Sequence, residues 1–289
     1  MRISRRQRIW GALLAAALVL GGILVWNIGS VLIAPANHPV GAPPAGWAAQ
    51  AVTLPSASGA MISGWWLPGE PGRGVVVLMH GVHADRRTML DRAAFLSRAG
   101  YSVLLFDFQG HGESLGKRIT FGFLESRDAT AAVNFARQQR SGEKIGVIGV
   151  SLGAAAAALA EPPLPVDALV LESCYPTIYE ATANRLADRF GFLGRLATPL
   201  LTGQMRLRLS IGLDDLKPIE GVRRITAPKL FIAGTEDRLT TLPESERLFA
   251  AAAEPKEFWA ITGAGHQDLH AFAKAEYERR VLAFFAEHL

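Results

Sequence analysis

A serine flanked by glycines is the first feature of the chain that favours chemistry. Ser151 lies in the sequence GVSLG, directly after the apolar run KIGVIGV and directly before an alanine-rich stretch at residues 154–160. An apolar run followed by strong helix formers predicts a strand, a tight turn and a helix. At such a turn the hydroxyl is exposed at the end of a sheet, beside the N–H groups of the helix N-terminus. The same short pattern occurs at ordinary turns, so Ser151 is a candidate nucleophile that needs a base and an acid.

A serine hydroxyl becomes an effective nucleophile when a histidine, oriented by a carboxylate, accepts its proton. Of the seven histidines, His266 is favoured because it follows the last predicted strand, KEFWAI, in the sequence GAGH. Asp237 follows the run KLFIA in the same way and is the favoured acid, with a capping or turn aspartate as the alternative interpretation. Glu172, at the end of the run DALVLE, is the second candidate acid.

Acyl transfer also needs N–H donors that point at the oxyanion of the tetrahedral intermediate. The N–H of Leu152, immediately after the candidate nucleophile, is one predicted donor. The second is the N–H of Val82 in the sequence HGVH, which follows the apolar run GVVVLM. A simple turn at His80 and Gly81 is the alternative interpretation of this second segment.

Eight short apolar segments place these candidates at strand ends. The predicted strands are residues 50–54, 61–67, 74–79, 101–106, 144–150, 167–172, 229–233 and 256–261, the first two forming a hairpin. Helical patterns, such as residues 86–99 and 124–140, lie between them. Apolar strands that alternate with helices predict one α/β domain with a mostly parallel sheet covered on both faces. Ligands bind beyond the carboxyl ends of such strands, where the candidate residues lie.

One connection, residues 174–218, is long and helix-like, and we expect it to form a lid or cap. It carries five arginines among leucine and phenylalanine: Arg185, Arg189, Arg195, Arg206 and Arg208. An amphiphilic or lipid-like substrate is one interpretation of that composition. Cations on solvated helix faces are the favoured one. The expected domains are therefore an anchor at residues 1–34, a linker at 35–49 and a hydrolase domain at 50–289 that includes the lid.

The N-terminal segment predicts a membrane span. Residues 9–34 contain no charged side chain, and four arginines precede them: Arg2, Arg5, Arg6 and Arg8. The run is long enough to cross a bilayer, and it exceeds the apolar core of a signal peptide. A cleaved signal peptide is the alternative, since the segment Ala-Pro-Ala at 34–36 loosely resembles a cleavage site. The arginines predict a cytoplasmic N-terminus and a catalytic domain on the outer side of the membrane.

Composition limits the possible partners and cofactors. The net charge of +4 resides in the four N-terminal arginines, so the remainder of the chain is neutral and offers no basic stripe for nucleic acid. Cys174 is the single cysteine, which excludes an internal disulfide and a cysteine-rich metal cluster. We expect no metal and no cofactor, and a small-molecule or lipid-like ester as the substrate.

Five motifs together resemble the α/β-hydrolase superfamily: VLMHGV, DFQGHGES, GVSLGA, AGTEDRLT and GAGHQDL. The chain resembles most closely the single-span, membrane-anchored serine hydrolases called the Bem46-like or serine aminopeptidase-like group, over residues 52–285. The resemblance implies an α/β-hydrolase fold with Ser151 as nucleophile, Asp237 as acid and His266 as base, in the chain order typical of that fold. It also implies donors at Val82 and Leu152 and a structural loop at residues 110–114.

These features predict a serine hydrolase that cleaves an ester or thioester through an acyl-serine intermediate. The superfamily includes thioesterases, lipases, peptidases and proteins without activity, so fold and triad do not identify the substrate. Three alternatives stay open: a binding module of the same fold at the membrane surface, an acyltransferase, and a peptidase.

Overall fold

Eight strands form one sheet in the computed structural model, which describes residues 4–289 apart from the side chain of Leu18. They are β1 (Gln50–Pro55), β2 (Met61–Leu67), β3 (Val75–Met79), β4 (Ser102–Phe106), β5 (Ile145–Val150), β6 (Ala168–Glu172), β7 (Lys229–Gly234) and β8 (Lys256–Ile261). Their order across the sheet is β1-β2-β4-β3-β5-β6-β7-β8. β2 is antiparallel to both β1 and β4, and the other neighbours are parallel. The predicted fold class and the predicted hairpin are confirmed.

Helices cover both faces of the sheet, and one further helix, α1, precedes it. The helices are α1 (Arg5–Leu32), α2 (Leu90–Arg98), α3 (Glu125–Gln139), α4 (Leu152–Leu159), α5 (Ile178–Thr202), α6 (Met205–Leu209), α7 (Pro218–Gly221), α8 (Leu242–Ala251), α9 (Leu269–Phe272) and α10 (Lys274–His288). In β3, Val75, Val77 and Met79 face the core beneath α3 and α4, whereas Val76 and Leu78 face the core beneath α2 and α10. This alternation explains why the central strands are apolar at every position.

The predicted helical pattern at residues 86–99 divides into two elements. A 3₁₀ turn occupies Arg86–Met89, and α2 follows it at Leu90–Arg98. The Asp85 carboxylate accepts the N–H of Arg87 at 2.8 Å, which satisfies a donor at the beginning of the turn. The turn brings Arg86 beneath the loop that follows β4, where its side chain is buried.

Residues 174–218, hereafter the helical insertion, consist largely of helices. α5 changes direction at Gly191, which has φ 60° and ψ −146°, and α6 and a 3₁₀ turn at Leu213–Leu216 follow it. The predicted end of the insertion, residue 218, is the first residue of α7. The insertion begins at the carboxyl end of β6, so α5 starts at the carboxyl edge of the sheet, and the chain after the insertion leads to the amino end of the parallel strand β7.

The N-terminal helix α1 extends over 28 residues, or about 42 Å at 1.5 Å per residue. Within residues 4–289 it is the one helix that is long and apolar enough to cross a membrane, a property that membrane anchors and signal sequences share. Arg2, one of the four arginines ahead of it, lies outside the described residues.

The chain after α1 contacts the loop that follows β4. Ala36 and Asn37 pair in parallel with His111 and Gly112, and the Asn37 side-chain amide donates to the carbonyl of Ser114 at 2.9 Å. The start of the expected linker, residues 35–49, is therefore packed against the domain.

Candidate active site

Ser151 occupies a strained turn between β5 and α4. Its φ of 51° and ψ of −104° are values that residues other than glycine rarely adopt. Two glycines permit this turn: a Cβ on Gly149 would lie 2.6 Å from the Ala154 nitrogen, and one on Gly153 would lie 2.3 Å from the carbonyl oxygen of Met79. The G-x-S-x-G spacing thus reflects the close approach of helix, turn and neighbouring strand.

Backbone hydrogen bonds hold Ser151 at the carboxyl edge of the sheet. Its N–H donates to the carbonyl of Glu172 at 2.8 Å, and its own carbonyl accepts from Ala155 at 2.9 Å. Within residues 4–289 the Ser151 hydroxyl makes no hydrogen bond, to His266 or to any other group. Such contacts are often long in a site without substrate and tighten when substrate binds.

Asp237 and His266 are joined directly. The Asp237 Oδ2 atom lies 2.8 Å from the His266 Nδ1 atom. Its Oδ1 atom accepts the N–H groups of Leu239 and Thr240, each at 2.8 Å, so both carboxylate oxygens are engaged. An ionised carboxylate accepts hydrogen bonds only, so Nδ1 carries the proton and Nε2 is left as a proton acceptor. The Asp237 side chain is 1% exposed and the His266 side chain 20%, which leaves the imidazole open to a ligand.

The loop that carries His266 folds over the end of β7. The N–H of Glu236 donates to the carbonyl of Ala264 at 2.9 Å. A Cβ at Gly234 would lie 2.2 Å from that same carbonyl oxygen, so glycine is required for the approach. This packing explains how residues 29 positions apart in the chain form the pair.

Glu172, the second candidate acid, contacts Arg92 and Tyr277 and not His266. Its carboxylate accepts from Arg92 through Nε at 3.0 Å and through Nη2 at 2.7 Å, and it also accepts from the Tyr277 hydroxyl. Arg92 contacts Asp268 in addition, at 2.9 Å. Burial, together with the nearby charge of Glu172, raises the pKa of Tyr277 and so keeps its hydroxyl a donor. The structure therefore brings Asp237, and not Glu172, to His266.

The two predicted oxyanion donors lie on neighbouring turns. Leu152 is the first residue of α4, where N–H groups have no partner within the helix. In the described part of the chain neither its N–H nor that of Val82 donates to a protein acceptor. Gly81 lies beside the nucleophile, since a Cβ there would be 3.9 Å from the Cβ of Ser151. The turn after β3 and the Ser151 turn thus border one space.

His80 has a structural role that was not predicted from the sequence. Its Nδ1 atom lies 2.7 Å from the carbonyl oxygen of Gly81, and its Nε2 atom accepts the N–H of Phe108 at 3.0 Å. Burial lowers the pKa of His80 to about 4, partly offset by its hydrogen bond to Gly81, so the imidazole is neutral near pH 7. The side chain ties the Val82 turn to the end of β4. The sequence signal for this role was the position of a histidine directly after a fully apolar strand.

The loop at residues 107–114 is built around Asp107. The Arg86 side chain donates to its Oδ2 atom at 2.7 Å, and the N–H of Glu113 donates to the same atom at 2.9 Å. A Cβ on Gly112 would lie 2.3 Å from Oδ2, so this glycine allows the loop to close over the carboxylate. These contacts agree with the structural role that the family resemblance implies for the loop at residues 110–114.

The helical insertion contacts the loop that carries the acid. The Asn184 side-chain amide donates to the carbonyl of Leu239 in that loop at 3.5 Å, and to both carboxylate oxygens of Glu244, in α8 just after the loop, at 2.8 Å. A cleft of about 650 Å³ lies between the two segments and is lined by residues of both, among them Asn184, Arg195, Asp237 and Arg238. A ligand in this cleft would touch the acid loop on one side and the insertion on the other.

One group in the described chain has ligand atoms close enough together for a metal ion, and it lies far from Ser151. Glu257, Glu287 and His288 bring their ligand atoms within 4.8 Å of one another. They lie near the beginning of β8 and the end of α10, at the opposite edge of the sheet.

Comparisons with known proteins identify the family and agree with the fold. The family model described as "Serine aminopeptidase, S33" matches residues 70–220. The Mycobacterium tuberculosis protein Rv2307c is 32% identical over 275 residues, covering 91% of this chain and 90% of its own length. The Pyrococcus furiosus esterase Pf2001 has a TM-score of 0.71 at 24% identity, covering 88% of this chain and 99% of that one. A thioesterase domain from the curacin biosynthetic pathway has a TM-score of 0.56 at 19% identity, covering 81% and 99%.

Proposed function

Because the chain belongs to the serine aminopeptidase S33 family of α/β-hydrolases, we propose that it is a serine hydrolase that cleaves an ester or thioester through an acyl-Ser151 intermediate. The observation that carries the proposal is the 2.8 Å contact between Asp237 and His266 at the sheet edge that also holds the strained Ser151 turn. Structural similarity to an esterase and to a thioesterase domain supports a fold that accommodates this chemistry.

Acylation begins when Ser151 Oγ attacks the carbonyl carbon of the substrate. His266 Nε2 accepts the hydroxyl proton, and Asp237 stabilises the resulting imidazolium without itself becoming protonated. The carbonyl oxygen becomes an oxyanion, which accepts the N–H groups of Val82 and Leu152. Each such donor contributes about 2.7–4 kcal/mol to lowering the barrier.

Release of the first product and deacylation follow from the same arrangement. When the tetrahedral intermediate collapses, the His266 imidazolium donates its proton to the departing alkoxide or thiolate. Water then attacks the acyl-Ser151 carbonyl while His266 accepts a proton from it, and the acid leaves as Ser151 recovers its hydroxyl. An alcohol in place of water would give acyl transfer, and an amine leaving group would give peptide cleavage, so product analysis separates these three reactions.

The proposal places the enzyme on the outer surface of a membrane, with α1 as the anchor. The exposed apolar surface of α1 supports its role as an anchor. The arginines at its N-terminal end support a cytoplasmic N-terminus, since the next lysine or arginine after the helix is Arg73. Proteolysis of intact spheroplasts tests this topology. A C-terminal tag that stays protected would contradict the outward placement of the domain.

Labelling by a fluorophosphonate probe tests the hydrolase proposal. We expect the folded wild-type protein to label and Ser151→Ala to lose all labelling. Ser173→Ala is the matched control, because Ser173 is also a buried serine with positive φ, 46°, at the end of the adjacent strand β6. Wild type that is folded and unlabelled, or Ser151→Ala that labels like Ser173→Ala, would contradict the proposal.

A further inference from the structure

The second half of α5 has the opposite polarity to a helix on a water-soluble surface. Its buried face holds Thr198, Leu201 and Thr202, which are 0%, 7% and 4% exposed. Its exposed face holds Leu193, Leu196 and Leu200, which are 73%, 58% and 62% exposed. These leucines recur at intervals of three and four residues and so lie along one side of the helix. Two threonines on the inner side and three leucines on the outer side are the arrangement expected when the outer face meets an apolar medium.

Further apolar side chains extend this surface at both ends. Phe190 and Phe192 flank the kink at Gly191 and are 59% and 73% exposed, and Leu207 of α6 is 80% exposed. We call the set of Phe190, Phe192, Leu193, Leu196, Leu200 and Leu207 the apolar stripe. A contiguous exposed apolar surface on a folded chain indicates a contact with a partner or a membrane.

The same segment contacts the membrane-length helix. The Gln204 side-chain amide donates to the carbonyl of Val25 at 3.2 Å, and Arg208 Nη1 donates to the hydroxyl of Ser30 at 2.8 Å. The Arg208 guanidinium also stacks on Trp26, 3.7 Å from the ring centre. Gly29 permits the approach, because a Cβ there would lie 2.7 Å from Gln204 Oε1. The end of α1 therefore packs against the segment that connects Leu200 of α5 to Leu207 of α6.

The position of these contacts along α1 determines their depth in the bilayer. About 20 apolar residues cross the hydrocarbon core of roughly 30 Å. Counted from Ile9, directly after the last N-terminal arginine, that length ends near Ile28. Val25 and Ser30 then lie on either side of the outer hydrocarbon boundary. Gln204 and Arg208, which contact them, hold the neighbouring turns of the insertion at that same level.

We infer that the apolar stripe inserts into the outer leaflet of the bilayer that α1 spans, and that the partner of this surface is membrane lipid. Three arginines next to the stripe, Arg189, Arg195 and Arg206, are exposed and can pair with lipid phosphates. Arg195 also lines the cleft beside Asp237, so this surface and the loop that carries the acid share a residue. The inference rests on the proposed anchor and topology, and it narrows the proposed substrate to an amphiphile of the membrane surface.

Depth-dependent quenching in vesicles tests the inference on the full chain. In a Cys174→Ala background, the variants Leu196→Cys and Leu200→Cys carry an environment-sensitive fluorophore on the stripe. Gln138→Cys, exposed at the end of α3 and at the opposite edge of the sheet, is the matched control. Each protein is reconstituted into vesicles of phosphatidylcholine and phosphatidylglycerol, with and without lipid that carries a spin label on its acyl chain. Circular dichroism establishes that each labelled variant is folded.

The inference predicts that the fluorophores at positions 196 and 200 shift to the blue and lose most of their emission to the spin-labelled lipid, while the control does neither. Equal quenching at all three positions would overturn it. A blue shift without lipid quenching would also overturn it, since a second copy of the chain would then cover the stripe. Ser151 labelling is measured separately, so failure of the stripe to insert is distinguishable from failure of the hydrolase proposal.

Discussion

Arg92 and Glu172 form a buried ion pair at the carboxyl end of β6, one strand away from the Ser151 turn. Both nitrogen contacts are short, at 3.0 and 2.7 Å, and both side chains are almost fully shielded from solvent. The pair holds α2 against the sheet and, through Asp268, holds the segment that follows His266. The Glu172 carboxylate therefore stabilises the elements around the site without contacting the His266 imidazole.

Glu172→Gln should destabilise the fold while leaving the triad in place. Removing the charge leaves buried Arg92 with Asp268, 2.9 Å away, as its remaining acid, so the cost in the free energy of unfolding should lie at the lower end of the about 3–5 kcal/mol expected when one partner of a buried pair is lost. We expect urea denaturation to show a loss of this size, with fluorophosphonate labelling retained by the folded fraction. Unchanged stability with abolished labelling would instead make Glu172 the acid of the triad.

Asp237→Asn should give the opposite result. The amide keeps the shape of the side chain but can hold His266 in the wrong tautomer, with Nε2 protonated and unable to accept the Ser151 proton. We expect kcat for ester hydrolysis to fall by about 10⁴ while the free energy of unfolding changes little. Steady-state kinetics beside urea denaturation measures both. Retention of near wild-type turnover would exclude Asp237 as the acid.

The Val82 donor is tested by a pair of substitutions. Val82→Pro removes the N–H, and we expect a loss of about 10²–10³ in kcat with KM affected less. Val82→Ala keeps the N–H and is the control, for which turnover should stay near that of wild type. If the two variants lose activity equally, the side chain or the turn matters and the N–H does not. Thermal unfolding identifies any variant whose turn is disrupted.

A fourth prediction follows from the buried His80. Burial depresses its pKa to about 4 in the folded protein, whereas the ordinary pKa of a solvated histidine is 6.5. Between these two values the unfolded chain binds a proton that the folded chain does not, so stability falls as the pH falls through this window. The loss attributable to this group is about 3 kcal/mol.

Urea denaturation at a series of pH values across that window measures the loss. Burial also lowers the pKa of His111 to about 4 and lowers that of His83, whereas it raises the pKa of Asp128 to about 7, which acts on stability in the opposite direction over this window. His80→Asn should therefore be compared with wild type at each pH, and it should lose about 3 kcal/mol less stability across the window. A slope identical to that of wild type would mean that His80 is protonated or solvated in the folded protein.

The sequence predicted the sheet and the triad candidates for the same physical reason. Buried parallel strands are largely apolar, so their ends are sharply marked, and Ser151 and Asp237 each follow such an end. His266 follows β8, a partly buried edge strand whose last four residues are apolar. The sequence favoured Asp237 but left Glu172 open as the second candidate, since both lie at the ends of predicted strands. That choice depends on Arg92 and Tyr277, which come from α2 and α10 and meet Glu172 only in the folded chain.

The apolar stripe could not be predicted from the sequence, for a different reason. The second half of α5 is apolar at most positions, so its periodicity does not distinguish the side that faces the domain from the side that faces outward. Contacts with α1 through Gln204 and Arg208 determine that orientation, and these contacts join segments almost 180 residues apart. The first residues of the expected linker are a similar case, because Asn37 pairs with a loop more than 70 positions later.

The most direct test of the account is identification of the acyl-enzyme. A p-nitrophenyl ester is mixed with the full-length protein, the reaction is stopped with acid, and the digested protein is analysed by mass spectrometry. We predict that the acyl mass appears on the peptide that contains Ser151 and is absent from Ser151→Ala. An acyl group on a different residue, or hydrolysis by Ser151→Ala at the wild-type rate, would contradict the proposed nucleophile.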